Sequence, residues 1–195
     1  MTTRPYNSSV SARAVGCIAA DTAYSVSRWG RMQNPQVCSV SYRRSRFSTK
    51  LPGDRLYTPS HFWMLETDSG IWRVGVTRFA QRMLGDLVEH GFEIKPDAQV
   101  ELGETIGWIE AFKAMTDVYC VGTGQFDGGN PLLEIEPHKF DSDPYSAGWL
   151  YSFRGTPDPN AVDAAGYSRL LDLAIDKIQG KEAAMDRPPT DDIGD

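Results

Sequence analysis

The fold of this chain is decided by the stretch Gly107-Trp108-Ile109-Glu110-Ala111-Phe112-Lys113-Ala114-Met115-Thr116-Asp117-Val118-Tyr119-Cys120-Val121. β-Branched and aromatic residues dominate both ends of it, which predicts two strands folded back on each other as a hairpin. The first arm is predicted to contain Trp108, Ile109 and Phe112, and the second arm Val118, Tyr119 and Val121. Lys113 lies between the arms and is the only basic residue from position 103 to position 129. A turn exposes such a lysine while the strands hold its backbone still, which suits a modification site, although ordinary surface lysines share the pattern.

Residues 109–117 resemble the lipoyl-lysine hairpin of the glycine cleavage H-protein family. That family usually shows Glu-Ser-Val-Lys-Ala with an acid four residues after the lysine, and Lys113 and Asp117 have this spacing. Three further segments resemble the family in the same order: residues 56–63 its opening strand, residues 74–86 the next strand, first helix and turn, and residues 143–150 the entry to its closing strand. The likeness runs from about residue 56 to about residue 178, so the chain is identified as a member of this family.

The resemblance implies a fold and a function. The fold is mostly β, a barrel-sandwich hybrid of the lipoyl and biotinyl type, with a short internal helix and a C-terminal helix. Lipoate would be bound covalently to Lys113, with Glu110, Asp117 and Ser60 forming the surroundings of the arm. A biotin carrier is disfavoured, because Ala-Phe-Lys-Ala lacks the Met-Lys-Met that biotin ligases usually meet. The protein is then a carrier and not an enzyme, with the chemistry in its cofactor.

The resemblance also implies four partners. The family takes an aminomethyl group from glycine decarboxylase and presents it to the aminomethyltransferase, and dihydrolipoyl dehydrogenase then restores the disulfide. A lipoyl ligase or transferase attaches the arm.

The chain departs from the family pattern at three positions. Ala111 stands where Ser is common, Phe112 where Val or Thr is common, and Phe62 where the family usually has Glu in its His-Glu-Trp motif. An acid at the last position is suited to holding a protonated amine, and Phe62 cannot do so, although Ser60 and Asp117 can still accept hydrogen bonds. Two alternatives therefore stay open: an H-like lipoyl protein that serves sulfur oxidation or lipoate relay, and an unmodified interaction domain.

The rest of the domain reads as short strands with two helices. Strands are predicted at residues 62–66, 71–76, 86–94 and 149–153. A short helix is predicted to begin after the N-cap Thr77 and to end at Gly85, and a longer one to span residues 161–178. The glycine-rich residues 122–131 and residues 137–144 are interpreted as loops. A dinucleotide-binding loop is disfavoured at residues 122–131, because Asn130-Pro131 follows where a helix should open.

The charge is distributed unevenly along the chain. Residues 1–50 carry a net +7 and residues 51–195 a net −13. We predict that residues 1–50 are a disordered or targeting extension, residues 51–180 the lipoyl-binding domain, and residues 181–195 a disordered acidic tail. The extension is typical of a mitochondrial transit peptide, which implies the matrix. It is equally typical of a disordered tail or of translation assigned from too early a start, with Met32 as a later one, and then the protein is a cytoplasmic bacterial one.

Several other functions are excluded by composition. The acidic domain argues against a nucleic-acid partner, and the chain has no apolar run as long as a membrane span. The three histidines (His61, His90, His138) and three cysteines (Cys17, Cys38, Cys120) have no spacing typical of a metal site. The sequence offers no credible catalytic set.

Overall fold

The computed structural model describes the backbone of residues 38–185 and the side chains of residues 38–180. The strands are β1 (Ser39–Arg44), β2 (Phe47–Pro52), β3 (Leu56–Tyr57), β4 (Phe62–Asp68), β5 (Ile71–Val76), β6 (Leu87–Phe92), β7 (Gln99–Val100), β8 (Thr105–Ala111), β9 (Ala114–Tyr119), β10 (Gly122–Gly129) and β11 (Tyr151–Pro157). The helices are α1 (Arg78–Leu84), α2 (Pro131–Ile135), α3 (Lys139–Ser142) and α4 (Ala164–Met185). The predicted mostly-β domain with an internal helix and a C-terminal helix is confirmed in this part of the chain.

The strands form three antiparallel sheets. The largest has the order β3-β4-β5-β11-β10-β7, the second is β6-β8-β9, and β1 pairs only with β2. Buried side chains of the two larger sheets form one core, which includes Val74, Ile106, Ile109, Phe126 and Phe153. The hairpin predicted at residues 107–121 is therefore the outer part of the second sheet, with its inward face in the core.

A second core lies beneath α4. Tyr57, Trp63, Tyr167 and Leu171 are almost fully buried there, together with residues of β1, β2 and α1. Trp63 fits because its neighbour on β5 is Gly75, where a Cβ atom would lie 2.4 Å from the Cζ2 atom of the indole. The C-terminal helix thus packs against β1 and against β3 and β4 at one edge of the largest sheet.

The short internal helix forms as predicted. The side-chain oxygen of Thr77 accepts a hydrogen bond from the Ala80 amide, as an N-cap does. The helix ends at Gly85, whose φ of 87° lies in the left-handed region that favours glycine. β5 also has the predicted bounds, residues 71–76.

Both predicted loops between the hairpin and the last strand are wrong. Residues 122–129 form β10, because β7 and β11 bond to it on either side and Phe126 fills the core. A helix does begin at Pro131, where the Asn130 side chain caps it and proline loses no hydrogen bond. The second loop contains α3, which buries Phe140.

The predicted domain boundaries differ from the structure at both ends. Residues 39–50 belong to the β1–β2 hairpin, where Tyr42 and Leu51 are buried against α4 and their neighbours. Helix α4 continues to Met185, since the sequence from Lys181 to Met185 consists of good helix formers. The predictions for residues 1–37 and 186–195 lie outside the described residues.

One detail of the hairpin also differs. Phe112 lies in the turn and is 82% exposed instead of belonging to the first strand, and Val121 follows the end of β9. None of the described helices is both long and apolar enough to cross a membrane.

Candidate functional site

Lys113 lies at the tip of the β8–β9 hairpin. Ala111 pairs with Ala114, so Phe112 and Lys113 form a two-residue turn, and both side chains are exposed. The turn is tied to the end of α1, because the Lys113 amide donates to the Leu84 carbonyl over 2.8 Å. The Phe112 amide donates to the Asp86 carbonyl over 2.9 Å. The predicted exposure and rigidity of the lysine backbone are therefore both present.

Gly85 allows this close approach of helix and turn. A Cβ atom on it would lie 3.2 Å from Cγ of Lys113 and 3.3 Å from Cβ of Phe112, tighter than most real contacts. The same residue has the positive φ that ends α1. The end of α1 can therefore approach the hairpin tip closely, because Gly85 at the contact has no side chain.

The ammonium group of Lys113 makes one weak contact. Its Nζ donates to the Arg82 carbonyl over 3.3 Å at an exposed position. Among residues 38–180 neither Glu110 nor Asp117 forms an ion pair with it. Converting this amine into an amide therefore breaks no buried interaction.

A cleft of about 200 Å³ lies between α1 and the β8–β9 hairpin. We call it the apolar cleft. Its apolar lining consists of Phe62, Val76, Phe79, Ala80, Met83, Leu84 and Ile109, and its polar lining of Ser60, His61, Thr116, Asp117 and Tyr119. An apolar group with a small polar end matches this lining.

Two of the predicted site residues, Ser60 and Asp117, line the apolar cleft. Ser60 lies on the loop before β4, where its hydroxyl bonds to that of Thr58 over 2.9 Å. Asp117 lies on β9 and accepts a hydrogen bond from the Tyr119 hydroxyl over 3.3 Å. Phe62 forms part of the wall and is 7% exposed. The cleft therefore has a carboxylate and a hydroxyl, but an aromatic ring where the family usually has an acid.

The third predicted residue lies elsewhere. Glu110 is exposed on β8, in register with Glu89 and Met115, and does not line the apolar cleft. Its place in the surroundings of the arm, which the resemblance implies, stays a prediction.

Comparison with known proteins decides the family. The family model "Glycine cleavage H-protein" matches residues 55–165. The chain belongs to the glycine cleavage H-protein family. It is 39% identical over 131 residues to a glycine cleavage system H protein of Mycolicibacterium smegmatis, covering 63% of this chain and 98% of that protein. A relative with the same description from Beutenbergia cavernae is 38% identical over 122 residues, covering 62% of this chain and 95% of the relative.

The fold comparison agrees with the family match. A crystal structure of a glycine cleavage system H protein from Mycobacterium marinum superimposes with a TM-score of 0.55 at 35% identity, covering 60% of this chain and 96% of that one. The predicted barrel-sandwich fold is thereby confirmed. The β1–β2 hairpin and most of α4 lie outside residues 55–165, so they are additions to the part that the H-protein family model matches.

His61 lines the apolar cleft, although its position in the sequence did not indicate a site residue. It adopts a φ of 66°, and its Nδ1 lies 2.9 Å from the Tyr167 hydroxyl, which lies 2.9 Å from Oγ1 of Thr77. Burial lowers the pKa of His61, so its ring is neutral at neutral pH. Its partners on α1 and α4 are remote in sequence, which is why the sequence could not reveal this chain of hydrogen bonds.

The helical face of the cleft was also missed. The sequence predicted the helix itself, but not that its residues Phe79, Met83 and Leu84 line the cleft. Met83 is 52% exposed, and Met115 on β9 is 67% exposed. Helical spacing predicts which residues share a face, but not that part of the face stays open beside the hairpin.

The described residues hold no metal cluster, and the buried cysteine among them is Cys120. No group of three or more His, Cys, Asp or Glu within them could hold a metal ion. Burial raises the pKa of the Cys120 thiol, which donates to the Gly122 carbonyl. Cys120 is therefore a buried core thiol with little tendency to form the reactive thiolate.

Proposed function

We propose that this protein is the lipoyl carrier subunit of a glycine cleavage system, with lipoate bound as an amide to Lys113. The observation that carries the proposal is the position of this lysine. It is exposed at the tip of a hairpin whose backbone is bonded to α1. Membership of the H-protein family supports the same assignment.

The residues around Lys113 suit a lipoyl arm. Amide formation removes the charge of an exposed amine whose only hydrogen bond in the described part of the chain goes to a carbonyl. The apolar cleft offers the arm a lining that is mostly hydrocarbon. Bound lipoate would supply a cyclic disulfide that can be opened by a partner enzyme and closed again by oxidation.

The polar residues of the apolar cleft suit a cationic cargo such as an aminomethyl group. The carboxylate of Asp117 can accept a hydrogen bond from a protonated amine and attract its charge. The Ser60 hydroxyl is a second acceptor on the facing wall. Phe62, which also lines the cleft, contributes no charge. We infer that the amine is held by Asp117 and Ser60 without a further carboxylate from position 62.

The carrier role defines the partners. We propose glycine decarboxylase, the aminomethyltransferase and dihydrolipoyl dehydrogenase as the enzymes that meet the arm, and a lipoyl ligase or transferase as the enzyme that attaches it. The protein itself is then a carrier without a catalytic step of its own. The bacterial origin of these relatives supports a cytoplasmic location.

Intact-mass spectrometry tests the attachment site. The full chain is co-expressed with a lipoyl ligase as wild type, as Lys113→Arg and as the control Lys95→Arg. We expect one lipoyl group on the wild type and the control and none on Lys113→Arg, because a guanidinium does not form the amide. The free energy of unfolding of Lys113→Arg should change by no more than about 0.5 kcal/mol, since the side chain is exposed.

Two outcomes contradict the proposal. A lipoyl mass on Lys113→Arg places the attachment elsewhere. A wild-type chain that no ligase modifies, although it is folded, rules out a lipoyl carrier and leaves an interaction domain.

A further inference from the structure

A second cleft, larger than the apolar one, also reaches Lys113. It has a volume of about 640 Å³ and lies between β2, α1 and the tip of the β8–β9 hairpin. We call it the polar cleft. Lys113 lines this cleft and not the apolar one. Whatever occupies the polar cleft is therefore next to the proposed attachment site.

One wall of the polar cleft is an addition to the matched domain. Ser48, Thr49 and Lys50 of β2 form it, and β2 precedes residues 55–165 that match the family model. The addition is part of the folded core, because Tyr42 of β1 and Leu51 of β2 are buried with residues of α4. Arg44 on β1 adds hydrogen bonds of 2.7 Å to both carboxylate oxygens of Asp176 on α4. This wall of the polar cleft is thus part of the folded domain.

The polar cleft is cationic in an acidic protein. Lys50, Arg78, Arg82 and Lys113 line it, against two carboxylates from Asp86 and Asp141. The whole chain carries a net charge of −6. None of the four cations takes part in an ion pair among the residues whose side chains are described. The positive charge is therefore available to a ligand.

The two carboxylates offset this charge only in part. The carboxylate of Asp141 accepts a hydrogen bond from the Leu87 amide, and burial raises its pKa. Arg78 donates to the Asp141 backbone carbonyl instead of the carboxylate. Lys50 on β2 and Arg82 on α1 are both exposed, so their charges are accessible from solvent on two different elements of the cleft.

A buried acceptor lies among the lining residues. Gln81 on α1 is 4% exposed, and its Nε2 donates to the Phe140 carbonyl, which fixes the orientation of the amide. Its Oε1 is the only buried side-chain oxygen or nitrogen in the described part without a hydrogen-bond partner. A ligand that brings an N–H group to this side of the cleft would satisfy it.

We propose that the polar cleft binds an acidic, extended peptide segment of an enzyme that acts on Lys113. Carboxylates of the segment pair with Lys50 and Arg82, and a peptide N–H faces Gln81. A peptide fits better than a small anion because the cations stand on separate elements and an extended chain carries spaced charges together with N–H donors. The identity of the enzyme rests on the proposed function, but the binding itself does not.

A defined peptide tests the cleft. The probe is a short, blocked peptide of alternating glutamate and glycine, added to the unmodified full chain and followed by NMR shifts of backbone amides. A peptide with glutamine in place of glutamate, and inorganic phosphate, serve as controls. We expect the acidic peptide alone to bind, with shifts concentrated in β2, α1 and the hairpin tip, and binding that weakens with salt.

Two double variants with the same change in net charge show whether binding depends on the cleft or only on the overall charge of the protein. Lys50→Glu/Arg82→Glu should weaken binding by about tenfold or more, because it reverses two cations of the cleft. Lys95→Glu/Lys177→Glu changes the net charge equally at exposed positions outside the cleft and should leave binding within about twofold. Since Arg82 also lies over the Phe47 ring at 5.0 Å, Lys50→Glu alone is the variant to use if the double variant misfolds.

The outcomes are decisive in both directions. Three outcomes would overturn the proposal. The two double variants could lose peptide affinity equally, the acidic peptide could fail to bind, or the NMR shifts could lie outside the cleft. Phosphate binding with the same sensitivity to Lys50, without peptide binding, would replace it by a small-anion site. Failure of lipoylation in the mass experiment leaves the peptide result intact, so the two proposals can fail separately.

Discussion

At the scale of single residues, Gly85 connects helix α1 with the tip that carries Lys113. Its φ of 87° disfavours a side chain, and a Cβ atom would lie 3.2 Å from Cγ of Lys113, so the turn would have to shift slightly to accept one. We predict that Gly85→Ala lowers the free energy of unfolding by about 1–3 kcal/mol through backbone strain. Lipoylation should also slow, because the added methyl group pushes the turn away from the Leu84 carbonyl.

Urea denaturation and a lipoylation time course measure the two effects. The control is Gly180→Ala, since a Cβ atom there has no atom within 4 Å and α4 continues through it. That change should stabilise the helix by about 0.5–1 kcal/mol. If Gly85→Ala is as stable as the wild type, the turn accommodates the methyl group without strain.

The sequence predicted a site residue only where the residues next to it in the chain form a recognisable pattern. Lys113 and Asp117 belong to one hairpin, and Gly85 ends a helix with ordinary spacing. The contact between Gly85 and Lys113 was not predictable, because it depends on how α1 packs against the hairpin. His61 was missed for the same reason, since Tyr167 is 106 residues away in the chain.

At the scale of elements, the β1–β2 hairpin depends on carboxylates of α4. Arg44 bonds to Asp176, and its Nη1 lies 2.8 Å from Asp172, which also accepts from the Tyr42 hydroxyl. We predict that Asp172→Ala/Asp176→Ala makes local opening of this hairpin more frequent, although Tyr42 and Leu51 remain in the core, while the melting temperature of the domain changes little. Partly exposed ion pairs stabilise by about 0.2–1 kcal/mol each, which is enough to affect one hairpin.

Limited trypsin digestion followed by mass spectrometry tests this. Cleavage after Arg43 and after Arg46 should be slow in the wild type and fast in the double variant. The control Glu93→Ala/Glu101→Ala removes two exposed carboxylates from loops and should behave as the wild type. Fast cleavage after Arg43 in the wild type would show that the hairpin is not held by α4.

Strands with a clear local pattern were predictable, and strands defined by their neighbours were not. β5 alternates and is bounded by turns, so its bounds were found. β10 is rich in glycine, which strands usually avoid, and exists because β7 and β11 bond to its two edges. In β1 the inward Val40 and Tyr42 alternate with polar residues, but the arginine-rich surroundings hid the pattern.

At the scale of the whole molecule, the site lies where the two cores meet. The apolar cleft is lined by Phe62 and Val76 of the core between the sheets and by Phe79 of the core beneath α4. The family resemblance predicted the first core and the carrier fold. It did not predict the additional hairpin, which completes the second core and forms a wall of the polar cleft.

The histidines make the stability of the whole domain depend on pH. Burial lowers the pKa of His61 and of His90, the latter against the opposing effect of Glu134 and Glu89. In the unfolded chain both have an ordinary pKa of about 6.5. As the pH falls below that value the unfolded state takes up protons that the folded state does not, so the free energy of unfolding falls. Burial raises the pKa of Asp141, an effect of opposite sign that acts at lower pH.

We therefore predict that the domain loses stability when the pH is lowered from about 7 to about 5, a window that follows from the ordinary histidine pKa. Chemical denaturation at a series of pH values measures it. His61→Asn should reduce the slope, because asparagine tolerates the positive φ of this position and does not titrate. His138→Asn, at an exposed position, is the control and should keep most of the wild-type slope. Constant or rising stability over this range would show that His61 and His90 take up protons in the folded state as readily as in the unfolded chain.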